Sequence, residues 1–134
     1  MTIPITGFDH LAITVADIDR ACAFYIEVLG GEQISEYAPD GRPLIRGIRF
    51  GAIKFNLHQY GNGIDLVAQK PTPGSVDVCF RWSGPIETAE AHLARHGIAI
   101  VDGPSKRTSN DGQPAMSVYF RDPDGNLLEL MSVD

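Results

Sequence analysis

The chain has 134 residues, 43% of them hydrophobic and 21% charged, with a formal net charge of −6. That length suits one domain, spanning 1–134, and is enough to bury a core without disulfide or metal staples. The acidic balance argues against a nucleic-acid partner, which calls for clustered Lys and Arg, but leaves anionic small molecules open, because a bound cation reverses the local field.

No apolar run approaches the ~18 residues of a membrane span. The segment Met1-Thr2-Ile3-Pro4-Ile5-Thr6 lacks the basic and apolar regions of a secretory signal. A cytoplasmic chain without membrane partner follows, with Cys22 and Cys79 expected as buried thiols in a reducing compartment.

Residues 8–15 alternate, with Leu11, Ile13 and Val15 on one face and His10, Ala12 and Thr14 on the other. Asp17 suits an N-cap, and the apolar residues Ile18, Ala21, Cys22, Tyr25, Val28 and Leu29 then recur with helical period up to Gly30-Gly31. Three strands are expected at about 32–38, 43–50 and 52–58, with reversals at Asp40-Gly41 and Gly51. Residues 59–75, rich in Gly and Pro, form a joint. Beyond it come a strand at 76–82 and a helix opened by Gly84-Pro85-Ile86-Glu87, whose buried stripe is Ile86, Ala89 and Leu93 and whose end is Gly97. A strand at 98–102, a polar loop at 103–113 and strands at 115–121 and 126–132 complete the chain, the last two joined by the turn Asp122-Pro123-Asp124-Gly125-Asn126.

The pattern is therefore stated twice, as strand, helix, strand, strand, strand. His10 to Gly30 and Asp77 to Gly97 each span 20 residues. The implied class is α+β, built of two βαβββ modules at about 7–60 and 74–132. Alternation places Ile53, Phe55 and Leu57 on one face of their strand, with Lys54, Asn56 and His58 on the other. In the same way Val76, Val78 and Phe80 oppose Asp77, Cys79 and Arg81, and Leu128 and Leu130 oppose Leu127, Glu129 and Met131. The apolar faces should pack beneath the helices and the mixed faces should line a small-molecule pocket.

His10, His58, Asp77 and Glu129 all fall on the mixed faces. Two imidazoles and two carboxylates offset the charge of a divalent cation and suit Zn, Ni, Fe, Mn or Co. Lys54, Asn56, Cys79 and Arg81 are candidate pocket residues. His92 and His96 are four apart on the second helix but belong to its exposed face, and no metal role is assigned to them.

These residues resemble the vicinal oxygen chelate superfamily, which includes glyoxalase I, bleomycin-resistance proteins, fosfomycin-modifying enzymes and extradiol dioxygenases. The resemblance rests on Phe8-Asp9-His10-Leu11, on Lys54-Phe55-Asn56-Leu57-His58-Gln59, on Pro73-Gly74-Ser75-Val76-Asp77-Val78-Cys79-Phe80 and on the segment from Tyr119 to Leu130. It covers nearly the whole chain and looks closest to the small glyoxalase-domain proteins of the domain-containing protein 5 and virulence-associated type. It implies a cupped mixed sheet from the paired modules, a divalent metal in the cup and a homodimer. By the same resemblance the first-strand ligand is His10, the fourth-strand ligand His58, the fifth-strand ligand Asp77 and the last-strand ligand Glu129, which also serves as the catalytic base. The familiar lyase has its acid on the fourth strand and its His on the fifth; here the two types are exchanged, so Asp77 is a ligand or holds a metal-bound water.

The resemblance points to a metal-dependent enzyme of lyase or isomerase type that chelates its substrate through adjacent oxygens, with Glu129 moving a proton beside a carbonyl. An Fe(II) ring-cleaving dioxygenase using His10, His58 and Glu129 is one alternative, and a non-enzymatic small-molecule binder of the drug-resistance kind is the other. Lys106 and Arg107 lie on the 103–113 loop, which either closes over a substrate or is simply solvated.

Overall fold

The computed structural model describes residues 3–134. The chain divides into two compact units, 1–73 and 74–134, and each repeats one topology. In the first unit, strand β1 (His10–Val15) leads to helix α1 (Ile18–Glu27) and then to strands β2 (Glu32–Tyr37), β3 (Ile45–Phe50) and β4 (Ile53–Gln59). The sheet order is β1-β4-β3-β2, with β1 parallel to β4 and the remaining pairs antiparallel. In the second unit, β5 (Asp77–Arg81), α2 (Ile86–Arg95), β6 (Asp102–Thr108), β7 (Pro114–Arg121) and β8 (Leu127–Ser132) give the order β5-β8-β7-β6, with β5 parallel to β8. The fold is the α+β tandem of βαβββ modules.

The α1 start follows from Asp17, whose carboxylate accepts from the Asp19 and Arg20 backbone N–H groups at 3.0 and 3.1 Å. This satisfies two of the donors that a helix start leaves unpaired. The opposite end stops at Gly30, whose φ of 71° is open to glycine at little cost. The buried α1 stripe of Ile18, Ala21, Cys22 and Tyr25 packs on Ile13, Val15, Ile48, Phe55 and Leu57, all nearly inaccessible. Tyr25, Phe50 and Phe55 meet edge to face, with ring centroids 5.3 to 6.2 Å apart. In the second unit Ile86, Ala89 and Leu93 of α2 cover the face bearing Val118, Phe120, Leu128 and Leu130.

Two expectations are corrected. No strand occupies 98–101; the ladder begins with Val101 N–H donating to the Tyr119 carbonyl and continues as β6 from Asp102 to Thr108, most of which was expected to be loop. The run Ile98 to Val101 has apolar content without full burial. β6 is an edge strand paired only to β7, so its backbone makes the ladder while its side chains stay polar and exposed. The connection shrinks to 109–113, closed by the Gln113 N–H donating to Ser109 Oγ at 2.9 Å. Secondly, only Cys22 is a buried thiol; Cys79 is exposed, because it lies on the β5 face opposite α2.

Asp17→Ala should destabilise the fold by about 1 kcal/mol, the usual value of a side-chain N-cap. Urea denaturation followed by far-UV circular dichroism checks this, with an unchanged m-value expected.

Candidate functional site

In the second unit the site-bearing strand is set by a buried turn. Asp122 Oδ1 accepts from the Asp124 and Asn126 backbone N–H groups at 2.9 Å each, and its Oδ2 accepts from the Asn126 amide at 2.7 Å. Asn126 Oδ1 in turn accepts from the Val76 N–H at 2.8 Å, and the Leu127 N–H donates to the Val76 carbonyl at 3.0 Å. These bonds tie the start of β8 to the start of β5, in the register Asp77↔Leu127 and Cys79↔Glu129. Glu129 also lies directly opposite Tyr119 on β7. Cys79, Glu129 and Tyr119 therefore form one row across three strands, on the face away from α2.

Glu129 is 9% exposed, and its Oε2 is buried with no hydrogen-bond partner. A buried carboxylate oxygen left in that state is costly, so this position suits a group that receives a cation or a proton. The Cys79 thiol is pushed up to about 12, first by partial burial and then by the adjacent Glu129 carboxylate, and it stays protonated at neutral pH. The residue as a whole remains exposed. Asp77 is exposed at the start of β5, and Arg81 lies 3.7 Å from Asp111.

In the first unit His10 Nδ1 donates to Asp9 Oδ1 at 2.7 Å. That bond assigns the tautomer that leaves Nε2 as a lone-pair donor, the arrangement by which carboxylates orient ligating imidazoles. The same contact holds the Asp9 carboxyl below its usual range, chiefly through the hydrogen bond to His10. β1 and β4 pair as His10↔Lys54, Ala12↔Asn56 and Thr14↔His58.

The two registers fix where each donor stands along its strand. With His10 matched to Asp77, the partner strands match Lys54 to Leu127 and Asn56 to Glu129; His58 corresponds in the repeat to Met131. His58 is four residues along β4 from the partner of His10, about 13 Å at the strand rise. It lines a hollow of about 110 Å³ together with Thr14, Gln59, Gly61, Asn62, Gly63, Ile64, Val67 and Pro71. Its Nδ1 is buried without a partner. The neighbouring amides are already engaged: Gln59 bonds the Ile18 N–H and the Ala16 carbonyl, and Asn62 bonds the Ile64 N–H and the Leu44 carbonyl. Among the described residues, no group of three or more His, Cys, Asp or Glu side chains stands ready to hold a metal. His92 stacks against Trp82 and His96, with centroids 5.3 and 4.8 Å away, on the outer side of α2.

Burial, and then the charge of His10, hold the His58 imidazole below its ordinary value of 6.5. As pH falls through about 6.5, the unfolded chain therefore takes up this proton before the folded chain does. The stability that neutral His58 contributes is present above that pH and is lost as pH falls through the lower folded value. His58→Gln in metal-free protein should flatten the dependence of unfolding free energy on pH just below about 6.5, measured by urea titration at stepped pH.

The family model described as Glyoxalase/Bleomycin resistance protein/Dioxygenase superfamily matches residues 7–130. The chain is similar to virulence protein STM3117 of Salmonella typhimurium, at 44% identity over 126 residues, covering 94% of this chain and 83% of that protein. The crystal structure of that protein matches with a TM-score of 0.86 at 41% identity, covering 98% of this chain and 100% of the other. Similarity to the glyoxalase domain-containing protein RDO1 of Mycosarcoma maydis is 42% over 130 residues, covering 97% of this chain and 70% of that protein. The fold also matches FosX, a fosfomycin resistance protein of Listeria monocytogenes whose structure holds Mn(II), with a TM-score of 0.64 at 21% identity, covering 94% and 89% of the two chains. The chain belongs to the glyoxalase/bleomycin resistance protein/dioxygenase superfamily.

Proposed function

We propose that this chain is a divalent-metal-dependent enzyme of the glyoxalase-like lyase or isomerase type, acting on a small molecule that offers two adjacent oxygens. The observation that carries the reading is Glu129, a carboxylate held in a fixed strand register and nine-tenths buried, with one oxygen lacking any partner. A cation supplies that partner. His10, already oriented by Asp9, is the nitrogen ligand in this proposal. Asp77 is a further oxygen donor, and Asn56 takes the fourth position in place of His58, because the strand registers equate Asn56 with Glu129. The donor set of imidazole, carboxylates and amide oxygen suits Zn, Ni, Fe, Mn or Co.

When bound, such an ion supplies Lewis-acid stabilisation of negative charge developing on a chelated oxygen. The chain's own contribution is proton movement. The Glu129 carboxylate accepts the proton from the carbon beside a carbonyl and returns it to the neighbouring carbon. The protonated Cys79 thiol beside it acts as a hydrogen-bond donor and not as a nucleophile, since the thiolate is the reactive form. Metal use by FosX, seen with Mn(II), supports the reading at the level of the superfamily.

Metal analysis after purification without chelators tests it. His10→Ala and Glu129→Ala should each abolish stoichiometric binding, Asn56→Ala should weaken it, and His58→Ala and His92→Ala should leave it unchanged. Loss with His58→Ala but not with Asn56→Ala would restore His58 as the fourth ligand. Wild-type protein carrying no transition metal would favour a metal-free binder, whereas ring opening of a catechol by iron-loaded protein would favour the dioxygenase.

The proposal includes a homodimer in the cytoplasm. Ile3, Ile5, Phe8 and Leu11 are exposed in the single chain, an apolar stretch that a second copy would cover. Light scattering coupled to size exclusion should return twice the 14.6 kDa chain mass; a monomer at micromolar concentration would reject this. Cys22 and Cys79 are free thiols, in keeping with a reducing compartment. No helix among the described residues is long and apolar enough to cross a membrane.

A further inference from the structure

The row that holds Glu129 continues into a cationic pair. Arg107, on edge strand β6, reaches along β7 so that its Nε donates to Tyr119 Oη at 2.8 Å, with the guanidinium carbon 5.3 Å from the Tyr119 ring centroid. Tyr119 is the direct cross-strand partner of Glu129, which puts their Cβ atoms about 5 Å apart. Arg107 Nη1 donates to the Lys106 carbonyl at 2.8 Å. Its Nη2 lies 3.9 Å from Asp102 Oδ2, beyond hydrogen-bond length. The guanidinium is thus fixed at two of its nitrogens and keeps an outward donor edge. Tyr119, having accepted from Arg107, keeps its own O–H to donate. One step along β7 on the same face, Ser117 is fully buried, and its Oγ has no hydrogen-bond partner. Two unpartnered buried oxygens, on Glu129 and Ser117, therefore flank a positioned Arg–Tyr pair.

We infer that Arg107, Tyr119 and Ser117 form a carboxylate-recognition subsite beside Glu129, so that the substrate carries a carboxylate a short distance from its reacting carbon. The inference deepens the proposed function and rests on Glu129 marking the reacting centre. A guanidinium edge matches a carboxylate in geometry and charge. The local charges favour a monoanion over a doubly charged phosphate, because Asp102 and Glu129 both lie near Arg107. The Arg107 proton is held above the usual arginine range first by the Tyr119 hydrogen bond, with smaller contributions from those two carboxylates. The polar sequence of β6 also gains a purpose beyond protecting an edge: it delivers a long cationic side chain to the middle of the neighbouring strands.

The test compares 2-hydroxyglutarate with 2-hydroxypentanoate by isothermal titration calorimetry. The two share a carbon chain and an oxygen-bearing end but differ in having a distal carboxylate or a methyl group. Wild-type protein, both zinc-loaded and metal-free, should bind 2-hydroxyglutarate about tenfold more tightly than 2-hydroxypentanoate, as expected for a charge-assisted hydrogen-bonded contact. Arg107→Ala should erase the preference by weakening only the dicarboxylate. Tyr119→Phe, which keeps the ring packing, should reduce it. Equal affinities in wild type, or a preference that survives Arg107→Ala, would overturn the subsite. An Arg107-dependent preference in protein that takes up no metal would support the subsite and reject the metal proposal, while stoichiometric metal with no preference would do the reverse.

Discussion

The second unit depends on the hydrogen-bonded cage built by Asp122 and Asn126. A buried carboxylate accepts from two backbone N–H groups and one amide, and the same amide side chain reaches the N–H of Val76, 50 residues away in sequence. Both side chains are nearly inaccessible, so an unmade bond here would leave a buried polar group exposed to no solvent, at a cost of several times the value of a surface contact. The cage leaves one register available to β8 against β5. Shifting that register by one residue would turn Glu129 under α2 and bring Leu128 or Leu130 to the other face. Gly74 belongs to the same constraint: its φ is 79°, and an added Cβ would sit 2.7 Å from the Asp124 carbonyl oxygen, so the chain can pass this turn only without a side chain.

With the register set, the site's electrostatics follow from neighbours in the row. Glu129 raises the Cys79 thiol on one side and sits opposite Tyr119 on the other, where Arg107 is anchored. The arrangement leaves an orphaned carboxylate oxygen in a poorly solvated place. Sheets ordinarily avoid such a position, which is why it reads as a place of chemistry and not of stability. The first unit shows the complementary case. Asp9 and His10 make a fully formed pair at the exposed start of β1, while His58, farther along β4, is the imidazole left without a partner.

Much of this was legible from residue order. The apolar periodicity of Ile18 to Tyr25 and the Asp17 cap located α1, and the alternation through Phe55 and Leu57 located β4 and its faces. β6 escaped the same reasoning because Pro104, Ser105, Lys106 and Arg107 have no apolar face to alternate. An edge strand is held by its backbone ladder, and a backbone ladder has no signature in side-chain types. The place of each donor in the repeat was hidden for a different reason. Donor chemistry marks His58, whereas the strand register, which no residue type records, puts Asn56 at the place that answers to Glu129.

By itself the sequence determined the duplication, the class of each module, the superfamily, and the face on which each donor lies, because those depend on local periodicity and on motifs contiguous in the chain. Tertiary structure alone decided which donors stand in one row. Alternation has a period of two residues, so it cannot distinguish Asn56 from His58, or Glu129 from Met131. Only hydrogen bonds between strands far apart in sequence choose between positions two residues apart. The same long-range pairing brings Arg107 to Tyr119 and leaves Glu129 Oε2 without a partner.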